Sequence, residues 1–311
     1  MQKEALLRCH KQILPHIYRT PILTSKAINR MSKADIHFKC ENFQKGGAYK
    51  MRGATNAVLQ LTDVQKDKGV VTHSSGNFAQ ALSLAAKNIG IDAFIVMPST
   101  APQVKKDAVA EYGGKIIECE PTLAAREAAA KKIERETGAT FIHPSNDENV
   151  IIGQGTAGME LLGELPDLNF IVVPVGGGGL IAGTSLAAHY FGNDCKVIGG
   201  EPFEVDDAYR SLQSGKIESN ETTNTIADGL KTQLGDKSFP IMRRYVDSII
   251  RVTEKDIVNA MRLIWERMKI VVEPSSAVAL AAVLSDKNRF KGKKVGIIIS
   301  GGNVDLKKLP F

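Results

Sequence analysis

Cysteine, aromatic residues and long apolar runs are all scarce in this chain. Of 311 residues only Cys9, Cys40, Cys119 and Cys195 are cysteine, far apart and without a C-x-x-C pair. No zinc ribbon is encoded. A chain of this length buries enough core to need no disulfide framework, so reduced thiols and a cytoplasmic location are expected. No apolar run approaches a membrane span, and Lys3, Glu4, Arg8, His10 and Lys11 occupy the stretch where a secretory signal would need its apolar segment. Basic clustering is absent too. The 40 basic and 34 acidic residues leave a net charge of +6, spread along the chain, and the densest basic runs (Lys131-Lys132, Arg243-Arg244, Lys291 to Lys294, Lys307-Lys308) are short and lack interleaved aromatics. This argues against a nucleic-acid partner and leaves steering of small anions. With 43% hydrophobic and 24% charged residues the composition is that of a folded globular protein.

From Gly69 onward short β-rich runs alternate with helix-like stretches. The strand candidates are Val70 to His73, Ala93 to Met97, Lys115 to Cys119, Thr140 to His143, Phe170 to Val175, Lys196 to Gly199, Ser248 to Val252 and Lys294 to Ser300. Helical periodicity runs through Pro102 to Tyr112, Thr122 to Thr137, Asn149 to Leu162, Leu180 to Phe191 and Glu254 to Met268, the last opened by a shortened capping box, Thr253 with Asp256. Such alternation predicts an α/β fold with largely parallel sheets. No repeat or low-complexity linker separates domains, and the chain ends soon after Asn303, so no appended regulatory domain is expected.

Three turns could carry chemistry. The first, Asn169-Phe-Ile-Val-Val-Pro-Val175, runs into Gly176, Gly177, Gly178 and Gly179 and then a helix. Bare backbone N–H groups and the positive end of a helix dipole make an anion site, with phosphate the expected guest. A dinucleotide fold competes, because Gly177, Gly179 and Ala182 fit G-x-G-x-x-A and Glu201 ends the next strand near where a ribose-binding acid belongs. The second turn, Asn42 to Gly53, places Lys50 in the first turn of a helix. A cation is electrostatically misplaced there, whereas a neutral amine, which a Schiff-base nucleophile must be, is not. On these residues alone a solvated surface lysine is the commoner arrangement. In the third turn Ser74, Ser75 and Asn77 can cap the helix that follows or cradle a carboxylate, and G-x-S-x-G is not matched.

Taken together, the ordered set F-K-C-E-N-F-Q-K-G-G-A-Y-K, S-S-G-N, G-Q-G-T (Gly153 to Thr156), G-G-G-G, E-P-x-x-x-D-D (Glu201 to Asp207), I-A-D-G, W-E-R-M-K and S-G-G-N resembles the fold-type II pyridoxal-phosphate enzymes, in their serine racemase and serine/threonine dehydratase branch. The resemblance covers nearly the whole chain. It implies a tryptophan synthase β-like fold of two open twisted α/β domains, a large one (1–68 and 147–311) and a small one (69–146), with the cofactor in the cleft. It also implies a homodimer. Lys50 would carry pyridoxal 5'-phosphate and act as base, with Phe43 beside the ring, Asn77 on the phenolic oxygen, Gly176 to Gly179 on the phosphate, Ser300 on the pyridine nitrogen and Glu273 nearby. Ser300, a neutral hydroxyl, would not stabilise a protonated ring as a carboxylate would. Ser74, Ser75, Gly76 and Asn77 would grip the substrate carboxylate, and Ser75 would serve as the acid opposite Lys50. Glu201, Asp207 and the carbonyl of Val205 match a magnesium or calcium site, for which a solvated acidic loop is the alternative. The expected activity is dehydration of L-serine and L-threonine with serine racemisation; 3-hydroxyaspartate dehydration, a nicotinamide oxidoreductase and a cofactor-binding regulator without turnover are the alternatives. Two departures stand out. Phe78 replaces the usual His after S-S-G-N, and Ser25-Lys-Ala and Lys45-Gly46 differ from the segments that bind a nucleotide effector in animal serine racemases.

Overall fold

A computed structural model describes residues 1–311. Ten strands form two sheets: β1 (Ile22–Thr24), β2 (Asp35–Cys40), β3 (Val70–His73), β4 (Ala93–Pro98), β5 (Lys115–Cys119), β6 (Thr140–Phe141), β7 (Phe170–Pro174), β8 (Lys196–Pro202), β9 (Val246–Val252) and β10 (Lys294–Ile299). The larger sheet has the order β1-β2-β10-β7-β8-β9 and the smaller β5-β4-β3-β6. Every pairing is parallel except β1 with β2. The strands and helices expected after Gly69 are present with ends shifted by a few residues, and Thr253 and Asp256 form the reciprocal capping box.

The larger sheet is buried on both faces, as parallel sheets require. Val295, Ile297 and Ile299 of β10 point into one core with the helices Glu254–Met268 and Pro274–Ser285, and Ile298 points into the other with Glu148–Glu164 and Gly179–Phe191. The smaller sheet packs helix Asn77–Asn88 against one face. That core also recruits Cys9, Ile13, Met51, Ala54 and Val58 from segments before Gly69. Helix Lys50–Leu59 therefore stands between the two sheets, with its N-terminus at the cleft.

Glycines bring the central helices together. A Cβ on Gly153 would lie 2.6 Å from the Arg52 carbonyl, and one on Gly155 2.6 Å from the Gly183 carbonyl. The G-Q-G-T motif is thus a crossing point at which helix Glu148–Glu164 touches both the Lys50 helix and the helix that follows the four glycines.

Beneath that crossing lies a charge network without solvent access. Arg52 Nε and Nη2 donate to Glu41 (2.7 and 2.9 Å), while Nη1 and Nη2 donate to Glu160 (2.8 Å each). Lys39 Nζ donates to Glu160 Oε2 (2.7 Å) and to the Thr20 carbonyl (2.8 Å), and Thr20 Oγ1 donates to Glu41 (2.6 Å). Burial pushes the Glu160 carboxyl up, but hydrogen bonds from His10 and Arg52 and the charges of Arg52 and Lys39 outweigh it and hold it well below the usual range. Two carboxylates balance two cations with every Arg52 donor used, the condition under which buried charge is tolerated. Breaking one partner strands the others, so Arg52→Leu should destabilise the protein by about 3–5 kcal/mol, read as a lower Tm or urea midpoint. An unchanged midpoint would contradict this account.

Candidate active site

Ligands of open α/β sheets bind outside the carboxyl ends of the strands, and the predicted residues collect there. β7 runs through Val175 into Gly176–Gly178, and Gly179 opens the next helix. Gly178 adopts φ +82°, and a Cβ there would lie 2.5 Å from Leu234. On Gly176 it would lie 2.9 Å from the Leu230 Cα, and on Gly179 2.7 Å from the Ser145 carbonyl. The loop is therefore lined on one side by residues 230–234 and on the other by Ser145, with Thr232 Oγ1 accepting from the Gly177 N–H (3.1 Å). Beside it both polar atoms of the Gln154 amide and the Ser238 hydroxyl are buried without partners. Unpartnered donors next to bare backbone fit a phosphate.

β10 ends at Ile299 and hands over to Ser300, which is buried. The S-G-G-N turn clasps the lysine loop. The Ser300 carbonyl accepts from the Tyr49 N–H (2.9 Å), Gly47 accepts from the Gly302 N–H (2.9 Å), and Asn303 Nδ2 donates to the Gly46 carbonyl (2.8 Å) and to Asn77 Oδ1 (3.0 Å). Gly46 and Gly47, at φ +68° and +71°, supply the left-handed turns that this clasp requires.

Lys50 is the first residue of its helix, and its Nζ donates to the Pro144 carbonyl (2.7 Å) across the cleft. The amine lies 5.0 Å from the Tyr49 ring centroid and 5.8 Å from that of Phe78, which is buried. Burial lowers the Lys50 pKa to about 7, against the opposing charge of Glu273. Lys50 is half-buried and bonded to the Pro144 carbonyl rather than standing free on the surface, and Phe78 contributes an apolar wall to the amine where a histidine would bring a polar ring. Burial and the charge of Asp228 raise Glu273 to about 7, with the Asn77 hydrogen bond opposing. Asn77 Nδ2 donates to both Glu273 oxygens (3.0 and 3.1 Å), a contact joining the small-sheet helix to the large sheet. Burial, with the charges of His73 and Lys50, lowers His143 to about 4; its Nδ1 accepts from the Ser145 and Asn146 N–H groups.

Ser74, Ser75 and Gly76 form the turn between β3 and helix Asn77–Asn88 on the facing side. No side chain caps that helix, so capping does not account for the serines. Phe43 is exposed and ends the short turn Glu41–Phe43 that precedes the lysine loop.

Glu201 is the penultimate residue of β8, and Val205 and Asp207 follow on the turn and helix after it. Glu201 is buried, accepting from the Ala208 and Tyr209 N–H groups (3.1 and 2.8 Å), so it is not placed to hold a ribose. Asp207 accepts from Asn220 Nδ2 (2.6 Å) and from the Leu234 N–H (2.7 Å), the latter in the segment that walls the glycine loop. Burial and the neighbouring Asp207 raise Glu201 well above its ordinary value, and burial raises Asp207. The nearby Arg210 and Arg251 are spent on Asp206, at 2.7 and 2.9 Å. No group of three or more His, Cys, Asp or Glu side chains converges here or elsewhere.

The four-glycine loop, the half-buried Lys50 amine and Ser300 at the neighbouring strand end line one cleft, and comparison with known proteins decides the family. The description "Pyridoxal-phosphate dependent enzyme" matches residues 13–301. This chain belongs to that family. It is 50% identical over 308 residues to a beta-hydroxyaspartate dehydratase of Paracoccus denitrificans, covering 99% of this chain and 98% of that protein. Identity to a serine racemase of Arabidopsis thaliana is also 50%, covering 98% and 94% of the two chains. The crystal structure of serine racemase from Dictyostelium discoideum superposes with a TM-score of 0.93 at 48% identity, covering 97% and 98%. The fold-type II reading therefore holds, and the oxidoreductase and non-enzymatic alternatives fall. No helix is long and apolar enough to cross a membrane, and the four cysteines are unpaired.

Two parts of the site were missed by sequence reasoning. His143 and Pro144 end a short strand run and carry no motif, and the role of Asp228 in raising Glu273 depends on contacts distant in sequence. Because Lys50 is neutral above about pH 7, capture of pyridoxal phosphate by the cofactor-free protein should accelerate about tenfold per pH unit below 7 and level off above it. Phe78→Asn, by solvating the amine, should move that midpoint upward. A rate still climbing at pH 9 in the unmodified protein would refute the assignment.

Proposed function

We propose that this enzyme dehydrates L-serine and L-threonine to a 2-oxo acid and ammonia and racemises serine. The observation that carries the reading is the placement of the Lys50 amine, bonded to the Pro144 carbonyl, between the four-glycine loop that packs on Ser145 and the Ser300 turn that binds Tyr49. When bound, pyridoxal phosphate supplies the electron sink that acidifies the α-proton of an amino acid. Gly176 to Gly179 would hold its phosphate, Phe43 would flank its ring, Asn77 would bind its phenolic oxygen and Ser300 its ring nitrogen, with Glu273 accepting from the Asn77 amide. Ser74, Ser75, Gly76 and Asn77 bind the substrate carboxylate. Lys50 would hold the cofactor and move the α-proton on its own face, and Ser75 would move a proton on the other. We take residues 69–146 as the unit that closes over the substrate. A cytoplasmic homodimer belongs to the same reading, supported by the family resemblance and the free thiols. Dehydration of 3-hydroxyaspartate is a second reading, favoured by the 50% identity to the Paracoccus enzyme; incubation with each amino acid, assaying 2-oxo acid and enantiomer together, separates them.

We further infer that Glu201, Asp207 and the Val205 carbonyl hold magnesium or calcium. Two adjacent buried carboxylates with raised pKa values and no basic partner of their own support this, and all-oxygen donors suit either ion. A cation here would brace the Leu234 segment against the glycine loop.

Elimination needs a proton moved only on the lysine face, whereas inversion needs both faces. Lys50→Ala should abolish both activities. Ser75→Ala should lower serine racemisation at least about tenfold while dehydration falls much less; equal losses would make Ser75 a binding residue.

The metal reading carries its own test. Both carboxyls titrate higher in the folded chain than in the unfolded one, so without a cation stability is greatest at low pH and falls as pH rises toward the folded values. Chelation at pH 8 should lower the Tm, and magnesium or calcium at 100-fold excess over Kd should restore about 2.7 kcal/mol. Asp207→Asn should remove the response. An identical Tm with and without chelator would leave the acidic loop a structural cap.

A further inference from the structure

A single ion pair crosses the mouth of the cleft. Lys105, on helix Gln103–Glu111 of the small-sheet unit, donates from Nζ to Asp228 Oδ2 at 2.7 Å. Every other ion pair joins two residues within 69–146 or two residues outside it. Asp228 is a fixed post. It opens the short turn Asp228–Leu230, where the Ile226 N–H donates to Glu254 (2.8 Å), the Gly229 N–H donates to Ser275 Oγ (2.9 Å), and Ala227 and Leu230 are buried in the core of the larger sheet. The neighbouring Lys106 is spent inside its own unit, on Glu118 (2.6 Å) and the Ser99 carbonyl (2.9 Å), so of these two lysines only Lys105 reaches across. The Asp228 turn also stands beside Glu273, for a Cβ on Gly229 would lie 3.8 Å from Glu273 Oε1. Burial and the charge of Asp228 push the Glu273 carboxyl up, whereas the Asn77 hydrogen bond and the charge of Lys105 pull it down. Docked, Lys105 neutralises Asp228 and favours the ionised Glu273 that accepts twice from Asn77. Withdrawn, it leaves two carboxyls facing each other.

We propose that Lys105 and Asp228 are positioning residues that latch residues 69–146 over the cleft and act in concert with the tie from Asn77 to Glu273. This rests on the reading of residues 69–146 as the unit that closes over the substrate. The latch holds the Ser74–Asn77 turn against the lysine loop without touching the reacting atoms. Its strength suits that task. With side chains 29% and 47% exposed, the pair shifts the docked population by a factor of about two to five, enough to bias closure and too little to trap product. Exposure also makes the latch sensitive to salt, whereas Glu273 is buried and its tie to Asn77 is screened less.

The test measures hydrogen exchange at the Ser74–Asn77 turn of the holoenzyme, with helix Glu148–Glu164 as internal control. Lys105→Met should speed exchange at the turn about two- to fivefold and leave the control helix and the Tm unchanged. Asp228→Asn removes the same contact and relieves Glu273, so adding it to Lys105→Met should bring no further loss. Raising salt to about 1 M should speed the turn in the unmodified protein and not in Lys105→Met. A turn unmoved by Lys105→Met or by salt, or losses that multiply in the double variant, overturns the inference. α-Methyl-L-serine, which has no α-proton to lose, separates the two levels. If it slows exchange at the turn in the unmodified protein while Lys105→Met has no effect, the closing unit stands and only the latch is lost. If it leaves the turn unmoved, the closing unit fails, and the inference with it.

Discussion

Arg52 is the interaction on which the site depends. It sits two residues after Lys50 on the same helix and spends all its donors on Glu41, Glu160 and Thr156. Glu41 follows β2, Glu160 lies on the helix that crosses at Gly153 and Gly155, and Lys39 adds the end of β2 itself. One guanidinium therefore fixes the rotation of the Lys50 helix relative to both the sheet and the glycine-loop helix. A planar fork with fixed donor directions does this in a way that an ammonium cannot.

Close backbone approach completes what the charges begin. Gly153 and Gly155 let three helices meet without intervening side chains, and Gly46 and Gly47 let the lysine loop dock on the Ser300–Asn303 turn. The Lys50 loop and the four-glycine loop are thus set by backbone contacts at the carboxyl ends of the neighbouring strands β10 and β7. Only the Ser74–Asn77 turn belongs to the smaller sheet, and it is tied across by Asn77 through Glu273 and Asn303. That tie is made of neutral amides and a carboxyl whose pKa stands near 7, a combination that can be remade when a ligand enters.

The cleft is electrostatically lean. Burial lowers Lys50 to about 7 and raises Glu273 to about 7, so that near neutrality neither carries a settled charge. The strongly held charges lie below the floor, in the Arg52 network, and beyond the end of β8. Separating fixed charge from titrating charge leaves the amine free to exchange protons while the scaffold keeps its shape.

The sequence by itself determined the alternating α/β order after Gly69, the glycine loop, the lysine turn and the family resemblance, because each is written in contiguous residues with its own periodicity or punctuation. It did not reveal β2, where Lys39 alternates as if solvent-facing yet is fully buried, nor helix Pro274–Ser285, which is apolar on all sides and offers no stripe to read. The Arg52 network, the lowered pKa of Lys50 and the tie from Asn77 to Glu273 were decided only by the tertiary structure. Each depends on burial or on a partner far away in the chain, Glu160 for Arg52 and Glu273 for Asn77, and no local pattern encodes which distant groups a buried charge or amide will meet.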